Sequence, residues 1–204
     1  MKLGLLFLIL STCGAGYAQN ASGKIDLARI PQQKVRSLIE NQCSTNGLMD
    51  FRELRSTYRK GQSLQGYRLL ESAYYIRQNP EEVWHAYQVT SPAESWNGSM
   101  VSFGLLISKW ENTVMYGSDS YYAGLDTGQV FYVNLKILKG LYNLAVGLEI
   151  IHIDSTNRSI TFSYLRGGKS RGEQTIEFIP TRKGYTEILH RTAFKSNSYL
   201  RDRY

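Results

Sequence analysis

The second half of the chain is a series of short apolar segments, rich in tyrosine, that tight turns separate from one another. The segments lie between Met100 and Phe194, and the turns include Asp126-Thr127-Gly128, Ser155-Thr156-Asn157-Arg158 and Gly167-Gly168-Lys169-Ser170. Neighbouring strands that are joined by a short turn are antiparallel, because parallel neighbours need a long crossover. The pattern therefore predicts an antiparallel meander of six or seven strands.

A strand and a short helix precede this meander. Tyr67–Arg77 is rich in Tyr, Leu and Ile and predicts a strand. Asn79 is a suitable cap for the helix that follows, and Pro80 suits its first position. One face of the sheet must be covered, and helices are the only cover that the sequence offers. We therefore predict an α+β domain, in which a curved antiparallel sheet of six or seven strands grips helices.

One segment carries a resemblance to a known superfamily. The sequence Tyr74-Tyr75-Ile76-Arg77-Gln78-Asn79-Pro80-Glu81-Glu82-Val83-Trp84 resembles the START and polyketide-cyclase-like proteins, whose fold is also called helix-grip. The resemblance covers residues 67–204 and implies a cavity between sheet and helix that takes an apolar or amphipathic molecule. It does not imply catalysis, since many members only bind and carry. Few residues follow Ser196, so we expect either that the N-terminal segment replaces the family's long C-terminal helix or that the cavity is open.

The first residues have the layout of a secretory signal peptide. Lys2 precedes the apolar run Leu3–Leu10, and small residues lead to a cleavage site after Ala18. We therefore predict that residues 1–18 are a leader and that the chain is exported, to a bacterial periplasm or outside the cell. The sequence Leu10-Ser11-Thr12-Cys13-Gly14 resembles a lipobox, which leaves open a lipoprotein anchored at Cys13.

Residues 19–66 form a predicted N-terminal helical extension, in which Val35, Leu38 and Ile39 recur at helical spacing. Its basic residues are part of a net charge of +7, which comes from 24 Lys and Arg against 17 Asp and Glu. Most of these charges recur singly along the chain, so we expect no nucleic-acid partner. The local cluster Arg52, Arg55, Arg59 and Lys60 is either a solvated face or a peripheral contact with an anionic membrane.

The sequence has three histidines, of which His152 and His190 are the candidates for polar chemistry. Because strand side chains alternate, we expect His152 to share a face with Leu148 and Ile150, and His190 to share one with Ile188. Both would then point into the concave side, either as ligand contacts or as packed, half-buried side chains. The spacing of the histidines fits no metal site, and no G-x-S-x-G sequence accompanies the serines, so we predict no metal, no cofactor and no catalytic residue.

Fifteen tyrosines are the unusual feature of the composition. Tyrosine combines a large apolar body with a polar tip, which suits the wall of a cavity for an amphipathic molecule. We predict that the ligand contacts are Tyr122, Phe131, His152, Phe162, Tyr164, Phe178 and His190. The predicted function is the binding of a hydrophobic or lipid-like small molecule. An envelope interaction module without a ligand, or a cyclase- or hydrolase-type enzyme with His190 or His152 as base, stays open.

Overall fold

The structure is a computed structural model that describes residues 24–44, 48–137 and 140–196. The predicted leader, with Cys13, lies outside the described residues, and so do the residues after Ser196. No helix among the described residues is long and apolar enough to cross a bilayer.

The described part of the chain has helical turns first and then a long β-sheet region. The N-terminal part contains a 3₁₀ turn at Leu27–Arg29, helix α1 at Gln33–Ile39 with a π-helical end at Glu40–Ser44, and a second 3₁₀ turn at Phe51–Glu53. The remainder contains β1 (Arg68–Ile76), α2 (Pro80–Val89), α3 (Pro92–Ser95), β2 (Val101–Ser108), β3 (Thr113–Tyr116), β4 (Gln129–Ile137), β5 (Tyr142–Asp154), β6 (Ser159–Tyr164), β7 (Ser170–Pro180) and β8 (Thr186–Ser196).

The eight strands of the described residues form a single antiparallel sheet in the order β1-β8-β7-β6-β5-β4-β2-β3. The predicted α+β class is confirmed, with β1 added to a set of seven later strands. One connection differs from a simple meander, since β4 pairs with β2 and leaves the four-residue β3 at the edge. The segment between β3 and β4 crosses β2, so that β3 pairs with one edge of β2 and β4 pairs with the other.

Helices α2 and α3 pack on one side of the sheet, which we call the helix face. The cap of α2 is as predicted, because the Asn79 side chain accepts a hydrogen bond from the Glu81 amide at 2.8 Å. Trp84 and Tyr87 of α2 meet Phe178 of β7 edge to face, with ring centroids 5.4 Å and 5.1 Å apart. These aromatic contacts fix the helix over the sheet.

The N-terminal segment covers the opposite side, which we call the back face. Its buried apolar residues pack against strand residues such as Ile107, Val130 and Tyr132, and they are Ile25, Ile30, Val35, Ile39, Cys43, Leu48, Phe51 and Leu54. The first alternative, that this segment replaces the family's long C-terminal helix over the cavity, is therefore wrong. Strands β2 and β4 carry apolar residues on both of their faces, so the sheet needs a cover on each side.

A buried ion pair fastens the N-terminal segment to the back face. Lys109, which follows β2, donates to a Glu149 carboxylate oxygen at 2.7 Å and to the Leu54 carbonyl at 2.8 Å. The Ser56 hydroxyl donates to the other Glu149 oxygen. Both charged side chains are largely buried, at 8% and 11% exposure, so each depends on the other for stabilisation.

Candidate functional site

A cavity of about 240 Å³ lies on the helix face, between the helices and the strands. Within the part of the chain that the structure describes, it is partly open to solvent. Its wall is almost wholly apolar, and its lining residues are Tyr87, Trp96, Val101, Val133, Leu135, Val146, Leu148, Phe162, Tyr164, Gln174, Ile176 and His190.

Strand periodicity explains why these residues meet. Four strands each contribute a pair of residues two positions apart, namely Val133 and Leu135, Val146 and Leu148, Phe162 and Tyr164, and Gln174 and Ile176. Tyr87 of α2 and Trp96, just after α3, complete the wall from the helix side. The cavity is thus a gap in the layer between sheet and helices, which apolar side chains surround.

One end of the cavity is polar, and we call its three side chains, Tyr164, Gln174 and His190, the polar triad. The Gln174 amide nitrogen donates to the Tyr164 hydroxyl oxygen at 2.6 Å. His190 Nε2 lies 3.1 Å from the Gln174 amide oxygen and 3.3 Å from the Thr192 hydroxyl. An amide oxygen only accepts, so His190 Nε2 carries a proton and donates it to Gln174. The Tyr164 hydroxyl hydrogen and His190 Nδ1 are not used in these contacts.

The cavity is uncharged at neutral pH. Burial lowers the pKa of His190 below its ordinary 6.5, so the ring is neutral near pH 7. Burial raises the pKa of Tyr164, against the smaller opposing effect of the Gln174 hydrogen bond, so the phenol keeps its proton. No Lys, Arg, Asp or Glu is among the lining residues. The site therefore favours an uncharged molecule whose oxygen accepts a hydrogen bond from Tyr164.

Two of the predicted contacts lie beside a second, much smaller gap of about 20 Å³. Tyr122 and Phe131 line this gap, and it shares Tyr87, Trp96 and Phe162 with the larger cavity. The Tyr122 hydroxyl is buried and has no hydrogen-bond partner among the described residues. Burial raises the pKa of Tyr122, which therefore offers a neutral donor.

Phe178 packs against Trp84 and Tyr87 of α2 and does not line the cavity. Of the seven predicted contacts, Phe162, Tyr164 and His190 line the main cavity.

The expected position of His152 is wrong. A β-bulge between Ile150 and His152 shifts the register against β6, so that Ile150 pairs with Phe162 whereas His152 pairs with Thr161. The extra residue moves His152 to the opposite face from Ile150. There its Nε2 lies 3.0 Å from the Lys60 ammonium, on the back face and away from the cavity.

Sequence reasoning missed Gln174, the central member of the polar triad. It shares a strand face with Ile176 and with the predicted contact Phe178, because the three lie two positions apart. A polar residue that continues an apolar face is the signal that was available.

The predicted membrane-contact cluster is divided in the structure. Arg52 forms two hydrogen bonds with Asp50, at 3.0 Å and 2.7 Å, and the Arg55 guanidinium donates to the Arg52 carbonyl. Lys60 lies beside His152. No group of three metal-ligating side chains occurs within residues 24–44, 48–137 and 140–196.

The order of elements decides the type of fold: one strand, two short helices, and seven antiparallel strands that hold a cavity against those helices. The fold is of the helix-grip type. No family model matches the chain, and no curated protein matches its sequence.

Solved structures with a similar overall arrangement include two plant proteins. A norcoclaurine synthase point mutant from Thalictrum flavum, in complex with a transition-state analogue, is 14% identical, with coverage of 67% of this chain and 80% of that chain and a TM-score of 0.47. The major latex-like protein 151 from Panax ginseng is 12% identical, with coverage of 66% and 83% and a TM-score of 0.47. At this sequence identity and TM-score, the similarity gives no information about a ligand or a reaction of this chain.

Proposed function

We propose that this chain is an exported binding protein that holds one uncharged, mostly apolar small molecule in the helix-face cavity and does not transform it. The observation that carries the proposal is the apolar cavity of about 240 Å³ with the polar triad at one end. Ligand pockets are typically apolar cavities with a few placed polar groups, and their volumes start at about 300 Å³. The small volume favours a compact ligand over a long-chain lipid.

The contacts of His190 favour binding over catalysis. A histidine base needs a partner that orients the ring and stabilises its charged form, which is usually a carboxylate. His190 bonds instead to an amide and lies near a hydroxyl, and no described carboxylate contacts it. His152, the other proposed base, lies on the back face.

A neutral fluorescent naphthyl ketone, prodan, tests the binding proposal. We expect it to bind with a blue-shifted emission, because the ring enters an apolar site and the ketone accepts from Tyr164. Ile176→Trp fills the cavity and should abolish binding. Ile153→Trp is the matched control, because Ile153 is half-buried against the same helix-face core but does not line the cavity. Equal binding by both variants would contradict the proposal.

A substitution of Tyr164 tests the role of the polar triad in binding. Tyr164→Phe removes the donor and keeps the ring, so prodan affinity should fall roughly five- to tenfold, the value of about one hydrogen bond. An unchanged affinity would show that the ketone does not face Tyr164.

A second candidate function, protein–protein interaction in the envelope, is supported by β1. All nine residues of this edge strand are exposed, among them Leu69 and Tyr75. An exposed edge strand can accept a strand from another chain. A pull-down from the host envelope would support this function if Leu69→Lys/Tyr75→Lys loses a protein that the wild type retains. Identical sets of proteins on both chains would contradict it.

A further inference from the structure

A second, polar cleft lies on the surface at the turn between β6 and β7. Its volume is about 520 Å³, and its lining residues are Thr57, Arg166, Gly167, Gly168 and Arg171. It thus combines two guanidinium groups with the backbone of a Gly-Gly turn. The helix-face cavity has none of these residues in its lining, so the cleft is a separate feature.

Neither arginine of the cleft has an acidic partner among the described residues, whereas four other arginines do. Ion pairs join Arg29 to Asp119, Arg52 to Asp50, Arg158 to Glu81, and Arg191 to Glu71 and Glu177. No described carboxylate forms an ion pair with Arg166 or Arg171. The carboxylate nearest in sequence, Glu173, interacts with the Tyr58 side chain instead.

The strand register places a further positive charge opposite Arg171. Arg171 of β7 lies directly opposite Lys195 of β8. Like charges at opposite positions of an antiparallel pair destabilise the sheet, and an anion between them removes the repulsion. Within the described chain, Lys195 has no carboxylate partner either.

The turn that carries the cleft is held by contacts from the N-terminal segment. The Gln42 amide nitrogen donates to the Arg166 carbonyl at 2.7 Å. The Thr57 hydroxyl accepts from the Gly172 amide at 3.1 Å and donates to the Tyr164 carbonyl at 2.9 Å. These contacts fix the backbone between the two arginines before any ligand arrives, which lowers the entropy cost of binding.

Gly167 is required for this geometry. Its φ of +82° is in the left-handed region, and a Cβ there would lie 3.2 Å from Gln42 Cγ. A side chain at this position would therefore strain the turn and crowd the Gln42 contact.

We propose that this cleft binds a phosphate group, with Arg166 and Arg171 as its principal ligands and Lys195 as a further positive charge. Guanidinium groups bind phosphate oxygens in pairs, and exposed glycine backbone lets an anion approach closely. The group could belong to free phosphate or a small phosphate ester, or to the headgroup of a membrane lipid. The cleft does not depend on the cavity, so the two proposals stand or fall separately.

Titration of the ¹⁵N-labelled chain with inorganic phosphate tests the chemistry. We expect saturable shifts of the Gly167 and Gly168 amide signals, and an affinity at least tenfold weaker in Arg166→Gln/Arg171→Gln. Arg182→Gln/Lys183→Gln is the matched control, because it removes two exposed positive charges from the turn at the other end of β7. Its phosphate affinity should equal that of the wild type. Equal weakening in both variants, or no saturable shift in the wild type, would overturn the proposal.

Vesicle sedimentation then distinguishes the two sources. Binding to vesicles of phosphatidylcholine with phosphatidylglycerol, lost in Arg166→Gln/Arg171→Gln and competed by inorganic phosphate, would identify a lipid headgroup. Phosphate binding without vesicle binding would identify a soluble phosphate. Vesicle binding that both double variants retain would show diffuse charge attraction and would contradict a defined site.

Prodan titration of the same variants keeps the two proposals apart. Both double variants should bind prodan as the wild type does, which also shows that they are folded.

Discussion

Replacement of Lys109 by methionine should destabilise the protein more than any ordinary surface change. The substitution removes the ammonium that lies 2.7 Å from Glu149 and leaves that carboxylate buried beside Ser56. A buried charge that loses its partner costs about 3–5 kcal/mol. The Leu54 carbonyl also loses its donor, which adds about 1 kcal/mol. The total is a large part of the roughly 5–15 kcal/mol by which a domain is stable.

Urea unfolding of three variants measures this effect. With a slope of about 2 kcal/mol per molar urea, Lys109→Met should lower the midpoint by about 2–3 M. Lys109→Met/Glu149→Leu removes both charges and should recover most of the loss, because an apolar pair of similar volume replaces a buried ion pair at little cost. Lys136→Met is the control, since the Lys136 ammonium donates to the Gly98 carbonyl and forms no ion pair with a described carboxylate. A loss below about 1 kcal/mol for Lys109→Met would show that water solvates Glu149 and would refute the reasoning.

Three further predictions follow from burial and backbone geometry. Burial raises the pKa of Cys43 to about 11, so its thiol should react slowly with iodoacetamide. Peptide mapping should find Cys43 unlabelled in the native chain and labelled in urea. Rapid labelling of the native chain would contradict its burial. Burial lowers the pKa of His190 from 6.5, so the unfolded chain takes up the proton first and stability declines as the pH falls below that value. His190→Gln should therefore flatten the curve of urea midpoint from about pH 8 to about pH 5, and superimposable curves would refute this. Gly172→Ala places a Cβ 2.0 Å from the Ala193 carbonyl oxygen and should cost more than about 2 kcal/mol. Gly184→Ala, in open space at a φ of +75°, should cost about 1 kcal/mol; equal costs would show that the strands separate freely at Gly172.

The sheet and α2 could be predicted from the sequence because their signals are local. Turn residues mark the strand ends, and Asn79 with Pro80 marks the helix start. Strand alternation also brings Phe162, Tyr164 and His190 together at the helix-face cavity.

The remaining features depend on contacts between distant parts of the chain. The bulge before His152 reverses the face of that residue, and no turn residue in the sequence announces it. The burial of Lys109 is set by Glu149, forty positions away, and by Leu54 in the N-terminal segment. The side of the sheet that this segment covers is likewise set by packing, because its helical spacing predicts an apolar stripe and not the surface that the stripe meets.

Native mass spectrometry of the protein from its native host tests the central claim most directly. The chain with a filled cavity, Ile176→Trp, is compared with the wild type and with Ile153→Trp, all expressed in that host. We predict one additional bound mass, in equal proportion on the wild type and Ile153→Trp and absent from Ile176→Trp, and solvent extraction should release an uncharged molecule. The same additional mass on all three chains, or none on the wild type, would contradict a ligand in the helix-grip cavity.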